Sequence, residues 1–274
     1  MLRCVISIKK KVDISRFTQL LAFLKRKSEG YKPKKSDIFA KEDIHRFLRE
    51  ADDDKFLLKK VVLIFGIFGA CRREELKNVM ISDVDDRETF ITVTIPNTKT
   101  NILREFVVTK GNITGYDCVE SCRKYVSLRP KQASHNRFFV FYRNGKCTSQ
   151  PVGVNTFGRI PKDIAVYLGL TNPGRFTGHC FRRSSASLLA DTGADIHMLK
   201  RHGGWKSSTV AEGYVETSLE NKKIIATKIM GDHTTVSRAE VVYDSSNIGC
   251  AASTSSAGVV LSHCDNFVVN VYNK

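Results

Sequence analysis

The chain has 274 residues, 42% of them hydrophobic, which is enough for one cored domain with appendages or for two small domains. Its 44 Lys and Arg against 28 Asp and Glu give a formal net charge of +16, which favours nucleic acid as a partner over a basic surface that is only solvated. The longest apolar run, residues 61–71, is too short to span a bilayer, so we expect no membrane partner.

The positive charge is concentrated near the start of the chain. Residues 1–35 contain eleven Lys and Arg against two carboxylates, whereas residues 231–274 contain two basic residues against four acidic ones. A basic leader joined to a basic body suits a protein that clamps DNA, and the same cluster is compatible with a nuclear import signal. The candidate phosphate contacts of the leader are Lys25, Arg26, Lys27, Lys32, Lys34 and Lys35.

Helical spacing of apolar residues dominates the first part of the chain. Residues 28–37 interrupt it with Gly, Pro and a Lys run, which indicates a linker, and Ser36 or Asp37 is expected to cap the helix that follows. The segment 54–71 is apolar on all sides and predicts a buried helix. The predicted helices of this part span residues 14–27, 41–51, 54–71 and 72–84.

Beyond residue 88 the apolar period changes from 3.6 to 2 and later returns to 3.6. Strands are predicted at 89–96 and 103–109, joined by a short loop, and at 137–143 before an Asn-Gly turn. Further helices are predicted at 116–129, 154–169, 178–192 and 193–202, and residues 209–230 are predicted to form one helix or two. The expected fold class is therefore α+β, a mostly helical domain over residues 36–230 with a small antiparallel β-sheet. Residues 1–35 precede it as a basic remnant and linker, and residues 231–274 form a Ser/Thr/Gly-rich tail expected to be disordered.

The eight Cys form no CxxC pair, which indicates free thiols in a reducing compartment. Cys118 and Cys122 are four residues apart and could share a helix face. Without two further ligands nearby they do not predict a zinc site. We therefore expect no metal and no cofactor.

One stretch, residues 177–215, collects groups suited to phosphate chemistry. His179 and Arg182 are three residues apart, so on a helix they share a face and can converge on one anion. Trp205 follows two glycines that let the backbone approach closely, and Tyr214 lies nine residues further on. Arg183 is the rival of Arg182, which is preferred for its spacing from His179; Arg183 and His202 are then candidate contacts for DNA phosphates.

Two upstream residues complete this set. Arg72 follows the buried helix, with Glu75 three residues later to orient its guanidinium, and Lys99 lies in the loop between the two predicted strands. Guanidinium groups stabilise the charge that develops on an attacked phosphodiester, and a Tyr hydroxyl can attack it. Lys99 can protonate the leaving 5′ oxygen, and His179 can exchange a proton with the tyrosine. Taken alone, each of these residues could have an ordinary structural role. Chance does not explain why all six occur in this order.

In this order, the residues resemble the catalytic domain of the tyrosine recombinases, the phage-integrase family. The signature of that family is an Arg before x-x-Glu-Leu, a Lys in a β-hairpin, a His-x-x-Arg, a Gly-His or Gly-Trp, and a Tyr shortly after. It falls here on Arg72, Glu75, Leu76, Lys99, His179, Arg182, Trp205 and Tyr214. The motifs GYKPKK, GACRREEL, TKT and HGGWKSS further resemble the recombinases of eukaryotic Crypton-type DNA transposons.

The resemblance implies DNA recombination or integration without a metal, through a 3′-phosphotyrosyl link at Tyr214. It also implies double-stranded DNA as substrate, a homotetramer on two DNA sites and, for a eukaryotic relative, a nuclear location. The chain departs from the family pattern in two places: only one predicted helix, 14–27, precedes the linker, and the tail has no family counterpart. Two alternatives therefore stay open, a catalytically idle DNA-binding protein derived from a recombinase and a type IB topoisomerase.

Overall fold

The computed structural model describes residues 6, 8–30, 34–96, 98, 103–130 and 134–230. The predicted tail, 231–274, and the residues Lys32 and Lys99 lie outside these ranges. The α-helices of the described part are α1 (Thr18–Ser28), α2 (Lys41–Glu50), α3 (Asp53–Phe68), α4 (Arg73–Asn78), α5 (Cys118–Ser127), α6 (Val154–Tyr167), α7 (Cys180–Asp191), α8 (Ile196–Gly203), α9 (Thr209–Thr217) and α10 (Leu219–Met230). The strands are β1 (Val84–Asp86), β2 (Ile91–Ile95), β3 (Arg104–Val108), β4 (Val140–Arg143) and β5 (Lys146–Pro151).

Helix α3 forms the centre of the core, as its apolar sequence predicts. Its residues from Val61 to Phe65 are at most 1% exposed, and the helix packs against α5, α7, β3 and β4. Gly66 allows the close approach of α7, because a Cβ there would lie 2.7 Å from the ring of Phe181. The end of α3 is therefore held in place by the core itself.

The β-structure forms two antiparallel sheets. Strands β1, β2 and β3 form one sheet in that order, with Val93 opposite Phe106, and β4 and β5 form a separate hairpin. The predicted strands 89–96 and 103–109 are confirmed as β2 and β3, and 137–143 as β4. The short, acidic β1 and the polar β5 were not predicted, because neither has the apolar alternation of a half-buried strand.

The linker segment docks on the turn that precedes α7 instead of capping a helix. Ser36 Oγ accepts a hydrogen bond from the backbone N–H of Thr177 at 2.9 Å, and the Asp37 carboxylate pairs with Arg175 at 2.9 Å. The prediction that Ser36 or Asp37 caps α2 is therefore wrong. The Asp43 side chain instead accepts from the backbone N–H of Ala40 at 3.1 Å.

Helix α1 begins at Thr18, after a 3-10 turn at Ile14–Arg16, and its apolar side chains are exposed. Helix α6 continues through Pro161, and residues 209–230, predicted as one helix or two, form two helices divided at Ser218. Among the described helices, none combines the length and the apolar character needed to cross a membrane.

Candidate active site

Arg72 lies at the junction between α3 and α4. The backbone turns sharply at Ala70, whose φ of 45° is in the left-handed region, and Arg72 then adopts an extended conformation as the N-cap of α4. Glu75, in the first turn of α4, accepts hydrogen bonds from the backbone N–H of Arg72 at 2.9 Å and from its Nη1 at 2.5 Å. The contact predicted between Arg72 and Glu75 is therefore present, and it fixes both the backbone and the guanidinium of Arg72.

Arg182 is buried on α7, with a relative exposure of 5%. Its Nη1 donates to the carbonyl of Ala70 at 2.8 Å and its Nη2 donates to the carbonyl of Gly203. Burial lowers the pKa of Arg182 to about 10, and the nearby charge of Arg72 acts in the same direction. The guanidinium is still protonated at neutral pH, so two cationic guanidinium groups occupy one region of the protein.

Trp205 and Tyr214 lie beside Arg182. The Arg182 guanidinium is 4.8 Å from the centroid of the Trp205 ring, and the Tyr214 ring stacks on Trp205 at 5.5 Å with an interplanar angle of 21°. Gly203 permits this arrangement, since a Cβ there would lie 2.5 Å from the indole. The indole thus contacts both an arginine and the predicted nucleophile, and it places them close to one another.

His179 is the residue directly before α7 and is exposed. The backbone N–H of Cys180 donates to the carbonyl of Thr177 at 2.8 Å, which closes the turn that presents His179. His179 therefore stands at the surface, one helical turn before the buried Arg182. The described residues do not include Lys99, so its predicted role remains a prediction.

His202 faces inward, although the sequence suggested a DNA contact. Its Nε2 is 2.7 Å from Ser185 Oγ, and the Ser185 hydroxyl donates to the carbonyl of Ile67 at 2.5 Å. The imidazole must therefore donate to Ser185. Burial, assisted by the charges of Arg104 and Arg182, lowers the pKa of His202 to about 4. A neutral imidazole held this way supports the α8 backbone and does not offer a positive charge to a phosphate.

The remaining predicted DNA contacts divide into two groups. Lys35 and Arg183 line the same groove as Tyr214, an open depression of about 980 Å³. The other described members of the basic leader are exposed and lie on α1 or just after it: Lys25, Arg26, Lys27 and Lys34. The structure thus brings two of the predicted phosphate contacts to the tyrosine and leaves the others on the solvated leader.

Arg104 belongs to this site and was missed by the sequence reasoning. It occupies the inward-facing register of β3 together with Phe106 and Val108, and it is only 7% exposed. Its Nη2 donates to Glu75 at 2.8 Å. A signal was present in the sequence, because an arginine at an inward position of an alternating strand must find buried partners.

No metal centre accompanies these groups among the residues that the structure describes, where no three His, Cys, Asp or Glu side chains gather as ligands. Burial raises the pKa of the Cys118 thiol to about 12, and that of Cys122 is also raised well above its ordinary value, mainly by burial. Both thiols are therefore protonated and packed in the core at neutral pH.

The fold is that of a tyrosine recombinase catalytic domain. The chain belongs to the phage integrase family, whose model matches residues 38–220. Tyrosine recombinase XerC of Rickettsia africae (strain ESF-5) is 26% identical over 171 residues, which are 62% of this chain and 51% of that protein. The chain thus spans about half the length of the curated relatives that it matches.

Solved structures of recombinases share the fold. XerA recombinase aligns with a TM-score of 0.54 at 19% identity, covering 73% of this chain and 66% of XerA. XerH site-specific recombinase, in a post-cleavage complex with its palindromic difH substrate, aligns with a TM-score of 0.55 at 15% identity, covering 71% of this chain and 54% of XerH. The predicted α+β architecture is confirmed by these likenesses.

Proposed function

We propose that this chain cuts and rejoins double-stranded DNA through a covalent link to Tyr214, as a tyrosine-type site-specific recombinase. The observation that carries the proposal is the contact series Arg182, Trp205, Tyr214, with Arg72 close enough for its charge to lower the pKa of Arg182. Support comes also from family membership and from XerH, whose structure is that of a cleaved DNA complex.

The chemistry follows from the charges of the site. Tyr214 Oη attacks the phosphorus, a P–O bond to tyrosine forms, and the bond to the 5′ oxygen breaks. Arg72 and Arg182 stabilise the charge on the non-bridging oxygens, because guanidinium groups match a phosphate bidentately and stay protonated. His179 accepts the tyrosine proton and Lys99 protonates the leaving oxygen. One phosphodiester bond replaces another, so the reverse reaction rejoins a strand without an energy source.

The DNA partner is supported by charge. The chain carries a formal net charge of +16, and Lys35 and Arg183 flank the groove beside Tyr214. By analogy with the family, strand exchange takes place in a homotetramer on two DNA sites. The Crypton-like motifs extend the proposal to a recombinase of a eukaryotic transposable element, which acts in the nucleus.

The test is detection of a covalent protein–DNA adduct on a denaturing gel. Nicked duplexes from the genomic neighbourhood of the gene trap the intermediate, because the short cleaved strand diffuses away. Wild type should form the adduct and Tyr214→Phe should not, although it still binds DNA. Tyr167→Phe is the matched control, since Tyr167 is an exposed tyrosine whose ring packs against Phe47 and Phe56.

The outcomes separate an active enzyme from the catalytically idle alternative. An adduct lost only in Tyr214→Phe establishes the enzyme and its nucleophile. An adduct that persists in Tyr214→Phe places the nucleophile elsewhere and contradicts the proposal. Salt-sensitive DNA binding without any adduct supports a catalytically idle DNA-binding protein instead.

A further inference from the structure

Two buried arginines bind the same two backbone segments at consecutive residues. Arg104 Nη1 donates to the carbonyls of Gly69 at 2.9 Å and His202 at 2.8 Å. Arg182 donates to the next carbonyl in each segment, those of Ala70 and Gly203. The turn that leads to Arg72 and the turn that leads to Trp205 are therefore joined by two guanidinium groups side by side.

Arg104 also sets the position of Arg72 through a shared carboxylate. Glu75 Oε2 accepts from Arg104 Nη2 at 2.8 Å and from the backbone N–H of Arg72 at 2.9 Å, while Oε1 accepts from Arg72 Nη1 at 2.5 Å. The side chains of Arg104 and Glu75 are 6% and 2% exposed. Since charge-assisted hydrogen bonds of this kind are strong and directional, the orientation of the carboxylate depends on Arg104.

The stem of Arg104 lies directly against the backbone before Trp205. Gly204 has a φ of 59°, and a Cβ on it would lie 2.5 Å from Cδ of Arg104. A Cβ on Gly203 would meet the indole of Trp205 at the same distance. Gly203 thus leaves room for the indole of Trp205, and Gly204 leaves room for the stem of Arg104.

We propose that Arg104 is a positioning residue of the active site, which holds Arg72 through Glu75 and holds the Trp205 turn through the carbonyl of His202. It acts from strand β3 and is enclosed by protein, so its contribution passes through the groups that it fixes. The consequence for DNA cleavage rests on the proposed function, whereas the positioning of Trp205 does not.

The first experiment uses Trp205 as a reporter, because it is the only tryptophan of the chain. Arg104→Met keeps an unbranched stem in place of the arginine methylenes and removes the guanidinium that makes the hydrogen bonds. We expect a red shift of the emission and a larger acrylamide quenching constant than in wild type. Arg129→Met is the matched control, since Arg129 is half-buried and donates to the carbonyl of Phe138, outside this site.

Folding is verified by circular dichroism in the same samples, and Arg104→Lys serves if Arg104→Met does not fold. Lys keeps the charge but can satisfy only part of the three-way contact, so a smaller change in the same direction is expected. Wild-type emission and quenching in a folded Arg104 variant would overturn the positioning of Trp205. The same change in Arg129→Met would also overturn it, because the effect would then be general.

The second experiment measures the rate of adduct formation in a single turnover on nicked DNA. Arg104→Met should react about 10- to 100-fold more slowly than wild type, with DNA affinity changed by less than roughly threefold, because small displacements of catalytic groups carry such costs. A wild-type rate in Arg104→Met would refute the proposal. If wild type itself forms no adduct, the proposed function fails, and the fluorescence result still decides whether Arg104 positions Trp205.

Discussion

Glu75→Gln tests the charge balance of the site most directly. The substitution preserves shape but replaces a carboxylate that accepts three hydrogen bonds from Arg72 and Arg104. One side of the new amide carries N–H groups that point at arginine donors. With the side chain of Glu75 only 2% exposed, the buried guanidinium of Arg104 and the half-buried guanidinium of Arg72 lose their counter-charge.

The expected loss is about 3 to 5 kcal/mol in the free energy of unfolding, the usual cost of removing one partner of a buried ion pair. For a domain of this size that corresponds to a melting temperature lower by roughly 10 °C. Urea unfolding followed by circular dichroism measures it. Glu74→Gln is the matched control, because Glu74 is exposed on the same helix. A loss below about 1 kcal/mol in Glu75→Gln would refute the reasoning that this carboxylate neutralises both arginines.

Other substitutions test separate parts of the site. Arg182→Ala should slow adduct formation by about 100-fold or more. Arg183→Ala should leave the rate nearly unchanged and reduce by about one the slope of the logarithm of the DNA-binding constant against the logarithm of the salt concentration. The reverse pattern would show that the motif is misaligned. Gly204→Ala should destabilise the fold by more than about 1 kcal/mol, because its φ is positive and Arg104 occupies the space of the new Cβ. Gly213→Ala in α9, where nothing lies within 4 Å of the new Cβ, should stabilise the fold by about 0.5 to 1 kcal/mol. Equal effects of Gly204→Ala and Gly213→Ala in urea unfolding would contradict both predictions. The pKa of His202 in the folded protein, about 4, lies below the ordinary 6.5. Its contribution to the free energy of unfolding is therefore complete above pH 6.5, and roughly 3 kcal/mol of that free energy is lost as the pH falls towards 4. His202→Gln should weaken this pH dependence of stability, His197→Gln should not, and an unchanged profile in His202→Gln would refute the assignment.

Local patterns in the sequence were sufficient to predict most elements of the fold. The all-round apolar character of residues 54–71 predicts the buried helix α3, and the change to a period of two predicts β2 and β3. The strands β1 and β5 were missed, since their pairing comes from neighbours in space and leaves no alternation in their own residues. The capping role expected of Ser36 and Asp37 failed for a similar reason, because a turn 139 residues away competes for their side chains.

The sequence by itself determined the residue types of the site and their order. Arg72 with Glu75, the His179 and Arg182 pair, Trp205 after two glycines, and Tyr214 can all be read from short-range spacing. Only the tertiary structure decided which of them touch. The stacking of Tyr214 on Trp205, the inward orientation of His202 and the junction made by Arg104 depend on contacts between residues up to 98 positions apart. Such contacts are fixed by how α3, α7, α8 and β3 pack together, and no local periodicity in the sequence carries that information.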